Sequence, residues 1–318
     1  MTAKQELPQL QISQTSGWVG TISLFVAMIP ISLAPSLVKL CDVEIGANAI
    51  AFHRAWIATI IFGLLSGFEA FRSQKSHEQP IAHKPLTKRE LALLLLMGTV
   101  GASSTILWAW SVTQTSIGNA SLLSSMNSLF VGLAGYFLFG RRFDNRFIIG
   151  MLIAVGGAIA LELNKVQFST DQILGDALAS LAAMFIASYL MLVERLRNRF
   201  STATIMLWRC GTTTAFLLPV LPLIENRLFP NTGTGWFFII FQALFCQVFG
   251  QALIAYSLSK LSSGVVAVTL LLEPIIASFF AWIIFNEKIS YFDGITFVVI
   301  LAGIYLAQSS QSAIKPTN

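Results

Sequence analysis

Long apolar stretches alternate with short polar joints along this chain, and the apolar stretches carry almost no charge. A helix needs about 20 mostly apolar residues to cross the hydrocarbon of a bilayer. Ten stretches qualify: 17–40, 46–68, 90–112, 116–139, 146–163, 173–194, 201–224, 234–258, 263–285 and 292–309. Residues 1–16 are a polar leader with Lys4 as its one basic residue. The first stretch is too long for the core of a signal peptide and runs past Pro30 and Pro35 to Lys39, so it is expected to be a retained, broken helix. Most joints are short, as antiparallel neighbours require. The exception, 69–89, is polar and basic, contains His77 and His83, and is expected to be a solvent loop.

Composition sharpens this reading. The 318 residues are 55% hydrophobic and 11% charged, with a mean hydropathy of +0.73, whereas a soluble domain carries about 25% charged residues. Cys41, Cys210 and Cys246 show neither a metal-site spacing nor a disulfide framework. The net charge of +5 is distributed by sidedness. With the N-terminus in the cytoplasm, 14 of the 20 Lys and Arg residues fall on inside segments; Lys39, Lys165, Arg227 and Lys288 fall outside, and Arg54 and Arg209 inside spans. The positive-inside rule then predicts a multi-pass protein of the cell (plasma or inner) membrane with both termini cytoplasmic. No nucleic acid is needed to account for the charge.

The chain also repeats itself. Shifted by 146 positions, 107–139 aligns with 253–285 without a gap: Leu107, Ala109, Ser111, Ser116, Gly118 and Phe139 fall on Leu253, Ala255, Ser257, Ser262, Gly264 and Phe285. Trp110 falls on Tyr256, and Gly157 on Gly303. A shift of 155 places Phe52-His53-Arg54 on Leu207-Trp208-Arg209. Five spans per copy is an odd number, so the second copy must enter the membrane from the opposite side. The expected fold is an all-α integral membrane protein, ten transmembrane helices as two inverted-topology five-helix repeats, 17–163 and 173–309. Secondary transporters are commonly built this way, with the substrate near the midplane where the halves meet.

Five passages carry a resemblance: IAFHRAWIATI (50–60), ASLLSSMNSLFVGLAGYFLFG (120–140), GDALASLAAMFIASYLMLVERL (175–196), VVAVTLLLEPIIASFFAWIIFNEKIS (265–290) and the closing Gly303. Over 17–309 the chain resembles the drug/metabolite transporter superfamily with two EamA-type repeats. The resemblance implies a small-molecule carrier, often an exporter, and leaves the substrate open. There are two departures. The family commonly has Asn-Pro or Glu-Pro in its fourth helix, where this chain has Asn127-Ser128, although the second copy keeps Glu273-Pro274. The family's Gly-Glu at the end of that helix appears as Gly140-Arg141 and Asn286-Glu287. The first half is therefore expected to lack a kink that the second retains.

Candidate chemistry is confined to few residues. Arg54 and Arg209 lie deep in apolar spans at repeat-equivalent positions, where an arginine costs about 3 kcal/mol or more. Each reads as a site for a carboxylate or phosphate, gripped bidentately, or as a clamp on backbone carbonyls. Glu273, beside the helix-kinking Pro274, reads as a proton carrier or as a counter-ion to the arginines. Its repeat mate Asn127 cannot titrate but can hydrogen-bond from a cavity wall. His53 reads as a packing residue or a proton relay. Trp110 and Tyr256 read as pathway lining or as interfacial belt. Gln247, Gln251 and Ser104 are expected to face the cavity or to bond between helices, and Gly63 and Gly67 to let helices approach closely. The sequon at Asn119 lies within a span and is discarded.

There is no HExxH, GxSxG, Walker loop or paired-aspartate signature. No catalytic residue, cofactor or metal is expected. The expected partners are a small-molecule substrate and the lipid bilayer, with a homodimer left open. The competing classes are an intramembrane enzyme acting on a lipid-linked substrate, which would form product, and a non-transporting receptor or scaffold.

Overall fold

The computed structural model describes residues 6–41, 44–75, 86–115, 117–140, 143–162, 172–286 and 288–310. Ten spans are long and apolar enough to cross a membrane: α1 (Gly17–Cys41), α2 (Ala47–Arg72), α3 (Lys88–Val112), α4 (Asn119–Phe137), α5 (Asn145–Glu162), α6 (Ile173–Leu196), α7 (Thr202–Leu223), α8 (Gly233–Ser257), α9 (Ser263–Phe285) and α10 (Tyr291–Gln308). All described elements are helical, and the chain is a multi-pass membrane protein. His77 and His83 lie outside the described residues. Polar caps fix where spans begin: Thr87, Ser201, Thr232, Ser262 and Ser290 each accept a hydrogen bond from a backbone N–H of the first turn.

The two copies pack into one another by an exchange rule. α1 lies against α8 and α9, while α6 lies against α3 and α4; α2 pairs with its own mate α7, and α5 with its mate α10. Swapping each span for its repeat partner reproduces the same set of neighbours, as a two-fold relation between inverted copies demands. The α5–α10 crossing is the tightest. A Cβ on Gly150 would stand 2.4 Å from Ala307 N, and one on Gly303 2.4 Å from Ala154 N. Small residues spaced by four thus let backbone meet backbone. Gly63 and Gly67, expected to serve such an approach, do not: an added Cβ meets only Leu207 Cδ1, at 3.8 Å, at the first and nothing at the second.

Two expectations about kinks are corrected. The first helix is not broken: it runs from Glu6 to Cys41 through both prolines. Each proline removes one N–H, and neighbours can serve the carbonyls around such a site; Gln242 Nε2 donates to Ala34 O at 3.0 Å. The first copy, conversely, does not lack a break. α4 consists of Ile117–Ser125 and Asn127–Phe139 with Met126 between them, and α9 of Ser263–Leu270 and Glu273–Phe285. At both places the chain tightens to i→i+3 bonds, Met126 N to Leu123 O at 3.1 Å and Leu272 N to Thr269 O at 3.0 Å. Pro274 accounts for the second break, because it has no N–H for Leu270 O. Its mate Ser128 acts through its hydroxyl, which donates to Ser125 O at 3.1 Å and competes with the helix ladder. Both second half-helices end on a left-handed residue, Gly140 at φ 60° and Asn286 at φ 55°, again repeat mates.

Hydrogen bonds tie the joints at both ends. At one end Glu44 accepts from Thr232 Oγ1 at 2.6 Å, Glu225 from Asn48 Nδ2 at 2.8 Å, and Arg227 O from Gly46 N at 3.2 Å. At the other, Arg197 donates to Ala255 O at 3.1 Å and Phe200 O at 2.6 Å. There Arg199 also pairs with Glu90, and buried Glu194 accepts from Ser263 N at 2.9 Å.

Candidate functional site

Polar side chains from α2, α6, α7, α8 and α9 meet in the middle of the bundle. Arg54 on α2 donates through Nη2 to Gln247 Oε1 at 3.0 Å. Its Nε is buried and has no hydrogen-bond partner among the described residues. Gln247 is held in turn by its amide, which points Nε2 at Cys210 Sγ, 3.5 Å away. Arg54 lies within electrostatic range of Arg209, Cys210, Cys246 and Glu273, so the second arginine and the carboxyl both lie near it. Arg54, Arg209 and Glu273 each keep part of their surface open.

Arg209 is more fully engaged. Nη1 donates to Tyr189 OH at 3.2 Å and to Gln251 Oε1. Its guanidinium also stacks 4.4 Å from the centroid of the Tyr189 ring, a favourable placement of a cation over a π face. Gly101 on α3 leaves the room, since a Cβ there would stand 3.2 Å from Tyr189 and 3.5 Å from Arg209 Cγ. The two repeat-equivalent arginines therefore differ: Arg209 is held by a ring, a phenol and an amide, and Arg54 keeps a buried donor unused.

Both glutamines depend on an unusual stretch of α8. Residues Gln242–Gly250 form a π-helix between the α-helical pieces Gly233–Phe241 and Gln251–Ser257. Such i→i+5 stretches are rare and frequent at functional sites. Here the stretch carries Gln247 to Arg54 and delivers Gln251 to Arg209. It also nests against α1, where a Cβ on Gly250 would meet Ile31 at 3.0 Å and Pro30 at 3.1 Å.

Asn127 sits at the break in α4, with its Oδ1 buried and without a partner among the described residues. His53 is buried with both ring nitrogens occupied: Nδ1 accepts from Trp56 Nε1 at 2.9 Å, and Nε2 is 2.9 Å from Leu228 O. The indole is a donor only, so the ring carries its proton on Nε2. Phe52, Trp56, Phe229 and Trp236 surround it edge-on, which makes His53 the centre of an aromatic plug under the 225–232 joint. Trp110, 53% exposed, closes α3, and Tyr256 closes α8 beside Arg197. The antiparallel run of α3 and α8 puts these two mates at opposite ends of the bundle. Burial lowers the Arg197 pKa from the ordinary arginine value, an effect that Tyr256 and Glu69 oppose. Ser104 bonds back to Gly101 O at 2.8 Å. Sequence reasoning passed over Tyr189, whose one signal is a lone phenol in the middle of an apolar span.

The chain is similar to known transport proteins. The EamA-like transporter family model matches twice, over residues 18–162 and 173–308. A pseudopaline exporter of Pseudomonas aeruginosa is 22% identical over 268 residues, covering 84% of this chain and 88% of that protein. An uncharacterized transporter of Archaeoglobus fulgidus is 26% identical over 233 residues, 70% of this chain and 76% of the other. A crystal structure superposes with a TM-score of 0.72 at 17% identity, covering 91% of this chain and 97% of its own, which supports the fold alone. With both five-span copies matched, the chain belongs to the EamA-like transporter family.

Proposed function

We propose that this protein is a secondary active transporter that exports a small polar or amphiphilic metabolite by alternating access around a central cavity, with Arg54 gripping an anionic group. The observation that carries the reading is the buried Nε of Arg54, a charged donor with no acceptor among the described residues. A buried donor left unpaired costs free energy, and a substrate carboxylate or phosphate would satisfy it. Gln247 holds the other side of the same guanidinium, which presents it ready-formed to a ligand. Arg209 and Gln251 form the opposite wall, and Tyr189 holds Arg209 in place. Glu273 balances part of the positive charge and is the titratable group placed to take up a coupling proton. His53, with both ring nitrogens occupied, is assigned to packing.

The outward direction is supported by the relative named as an exporter. The two tied ends suit a carrier that must seal one side while opening the other. In this reading the orientation follows the basic bias: the 2–3, 4–5, 6–7 and 8–9 joints and both termini are cytoplasmic, in the cell membrane.

The test compares flux with stability. Proteoliposomes are assayed with radiolabelled small carboxylates and phosphate esters to find a transported compound, whose affinity is then measured for Arg54→Lys. Lysine keeps the charge and loses the fork, so transport affinity should fall at least tenfold while the detergent melting temperature stays within a few degrees. A melting loss that accounts for all the lost transport overturns the binding role.

A further inference from the structure

Gln247 joins the two helices that carry the arginines. Its Oε1 accepts from Arg54 Nη2 on α2 at 3.0 Å, and its Nε2 donates to Cys210 Sγ on α7 at 3.5 Å. The orientation of the amide is forced. A guanidinium can only donate, so the oxygen must face Arg54, and the NH2 group then points at α7. Inside the bundle that NH2 group needs an acceptor. Hydroxyls on α7 turn back onto their own helix: Thr212 Oγ1 donates to Trp208 O at 2.7 Å, Thr213 Oγ1 to Arg209 O at 2.9 Å and Thr214 Oγ1 to Cys210 O at 2.9 Å. The acceptor that meets Gln247 is the buried thiol of Cys210.

The internal repeat shows that amide and thiol occur as a pair. The shift of 155 that places Arg54 on Arg209 also places the end of α1, Cys41, on the end of α6, Leu196. It places the start of α2, Ala47, on the start of α7, Thr202. At that shift Cys210 falls on Ala55. Gln247 falls on Gly101 at the shift of 146, and on Ala102 at the shift of 145 that superposes the N-caps Thr87 and Thr232. Gly101 is where α3 approaches Arg209, since a Cβ there would stand 3.5 Å from Arg209 Cγ. The two sites therefore correspond in geometry and differ in chemistry. Arg54 has an amide backed by a thiol; at Arg209 glycine or alanine replaces the amide, and alanine replaces the thiol.

We propose that Cys210 is a positioning residue for the anion grip of Arg54, acting through the Gln247 amide. The proposal rests on the reading of Arg54 as an anion site, and the thiol itself touches no anion. With Sγ as its acceptor, the amide keeps its oxygen on Nη2 and leaves Nε to the anion. Without it, the NH2 group is left unpaired or swings round to face a guanidinium that cannot accept from it. Either outcome loosens the guanidinium.

The test reads Arg54 directly and needs no transported substrate. Full-length protein carrying isotope-labelled arginine is placed in lipid nanodiscs, and the side-chain nitrogen resonances of Arg54 are assigned by their loss in Arg54→Lys. A guanidinium held at Nη2 shows resolved Nη resonances, whereas a loose one averages them by rotation. Cys210→Ala and Cys210→Val, which empty and refill the thiol's space without an acceptor, should both average them. Cys210→Ser should keep them resolved, because a serine that donates back to Met206 O still offers a lone pair to Gln247. In acetate titrations followed at Arg54 Nε, Cys210→Val should raise the half-saturating concentration about three- to tenfold, as the loss of one hydrogen bond implies, and Cys210→Ser should largely restore it. In Gln247→Glu either carboxylate oxygen can accept from Arg54, so adding Cys210→Val should change nothing further. Resolved Nη resonances in Cys210→Val, equal behaviour of Cys210→Val and Cys210→Ser, or an undiminished effect of Cys210→Val in Gln247→Glu would each overturn the proposal. Wild-type Arg54 resonances that ignore both acetate and inorganic phosphate would overturn the anion reading instead, and the Nη comparison would still decide whether Cys210 fixes Gln247.

Discussion

Gly303→Ala should be among the most damaging one-carbon changes in the molecule. The added Cβ would stand 2.4 Å from Ala154 N, 2.7 Å from Gly150 O and 2.8 Å from Ala154 Cα, where ordinary contact begins at 3.4 Å. All three are backbone atoms, so no rotamer change relieves the clash, and α5 and α10 must part by about 1 Å. Overpacking of this kind costs about 1–3 kcal/mol. The parting adds to it, because a gap of about 0.5–1 Å forfeits a quarter to a half of each dispersion contact along the crossing. One such contact lies one turn further along, where a Cβ on Gly157 would be 2.7 Å from Ile300 Cγ1. The expected loss is therefore about 3 kcal/mol. It is read as the midpoint of reversible SDS unfolding, with Gly150→Ala behaving alike because its Cβ would reach Ala307 N at 2.4 Å. Gly156→Ala is the control: its Cβ meets nothing within 4 Å, and alanine's helix propensity should leave it neutral or up to about 1 kcal/mol more stable. If Gly303→Ala and Gly156→Ala shift the midpoint equally, the backbone crossing is not what holds α5 to α10.

Three further outcomes are expected. Gly140→Ala places a Cβ at φ 60° with open space around it, so it should cost only the left-handed backbone penalty of about 1–2 kcal/mol, while Asn286→Gly at φ 55° should be neutral or stabilising by SDS unfolding. Glu273→Gln should abolish pH-gradient-driven accumulation in proteoliposomes and preserve counterflow; accumulation equal to the wild type would return Glu273 to a charge-balancing role. Single cysteines at Ser76 and Thr232, in a background without native cysteines, should label from opposite faces of the membrane, and labelling of both from one face would refute the inverted arrangement.

The spans were legible because lipid imposes them: backbone groups in hydrocarbon must bond within a helix, and the apolar length that satisfies this is visible in the sequence. The arginines were legible for the complementary reason, that charge at such depth is too costly to be idle. Their partners were not. Gln251 and Tyr189 reach Arg209 from helices 42 positions after it and 20 before it in the chain, and nothing local encodes that meeting. The break at Glu273 was announced by Pro274, whereas the break at Asn127 is tied to a rotamer of Ser128, which a sequence does not display. The π-helical stretch was invisible for the same kind of reason. It lies where Gly250 presses on Pro30 and Ile31 and where Gln242 bonds to Ala34 O, contacts more than 200 positions apart.

That stretch makes α8 sensitive to counting. Nine residues bonded i→i+5 hold length that an α-helix would not need. Deleting one residue between Gln242 and Gly250 would change the winding of the stretch, and everything beyond the deletion would turn relative to what precedes it. The column of stacked rings at Phe237, Phe241, Phe245 and Phe249 would shear, and Gln251 would leave Arg209. For this helix the frame of the residues carries as much information as their identity, so a one-codon deletion here is a graver lesion than most substitutions.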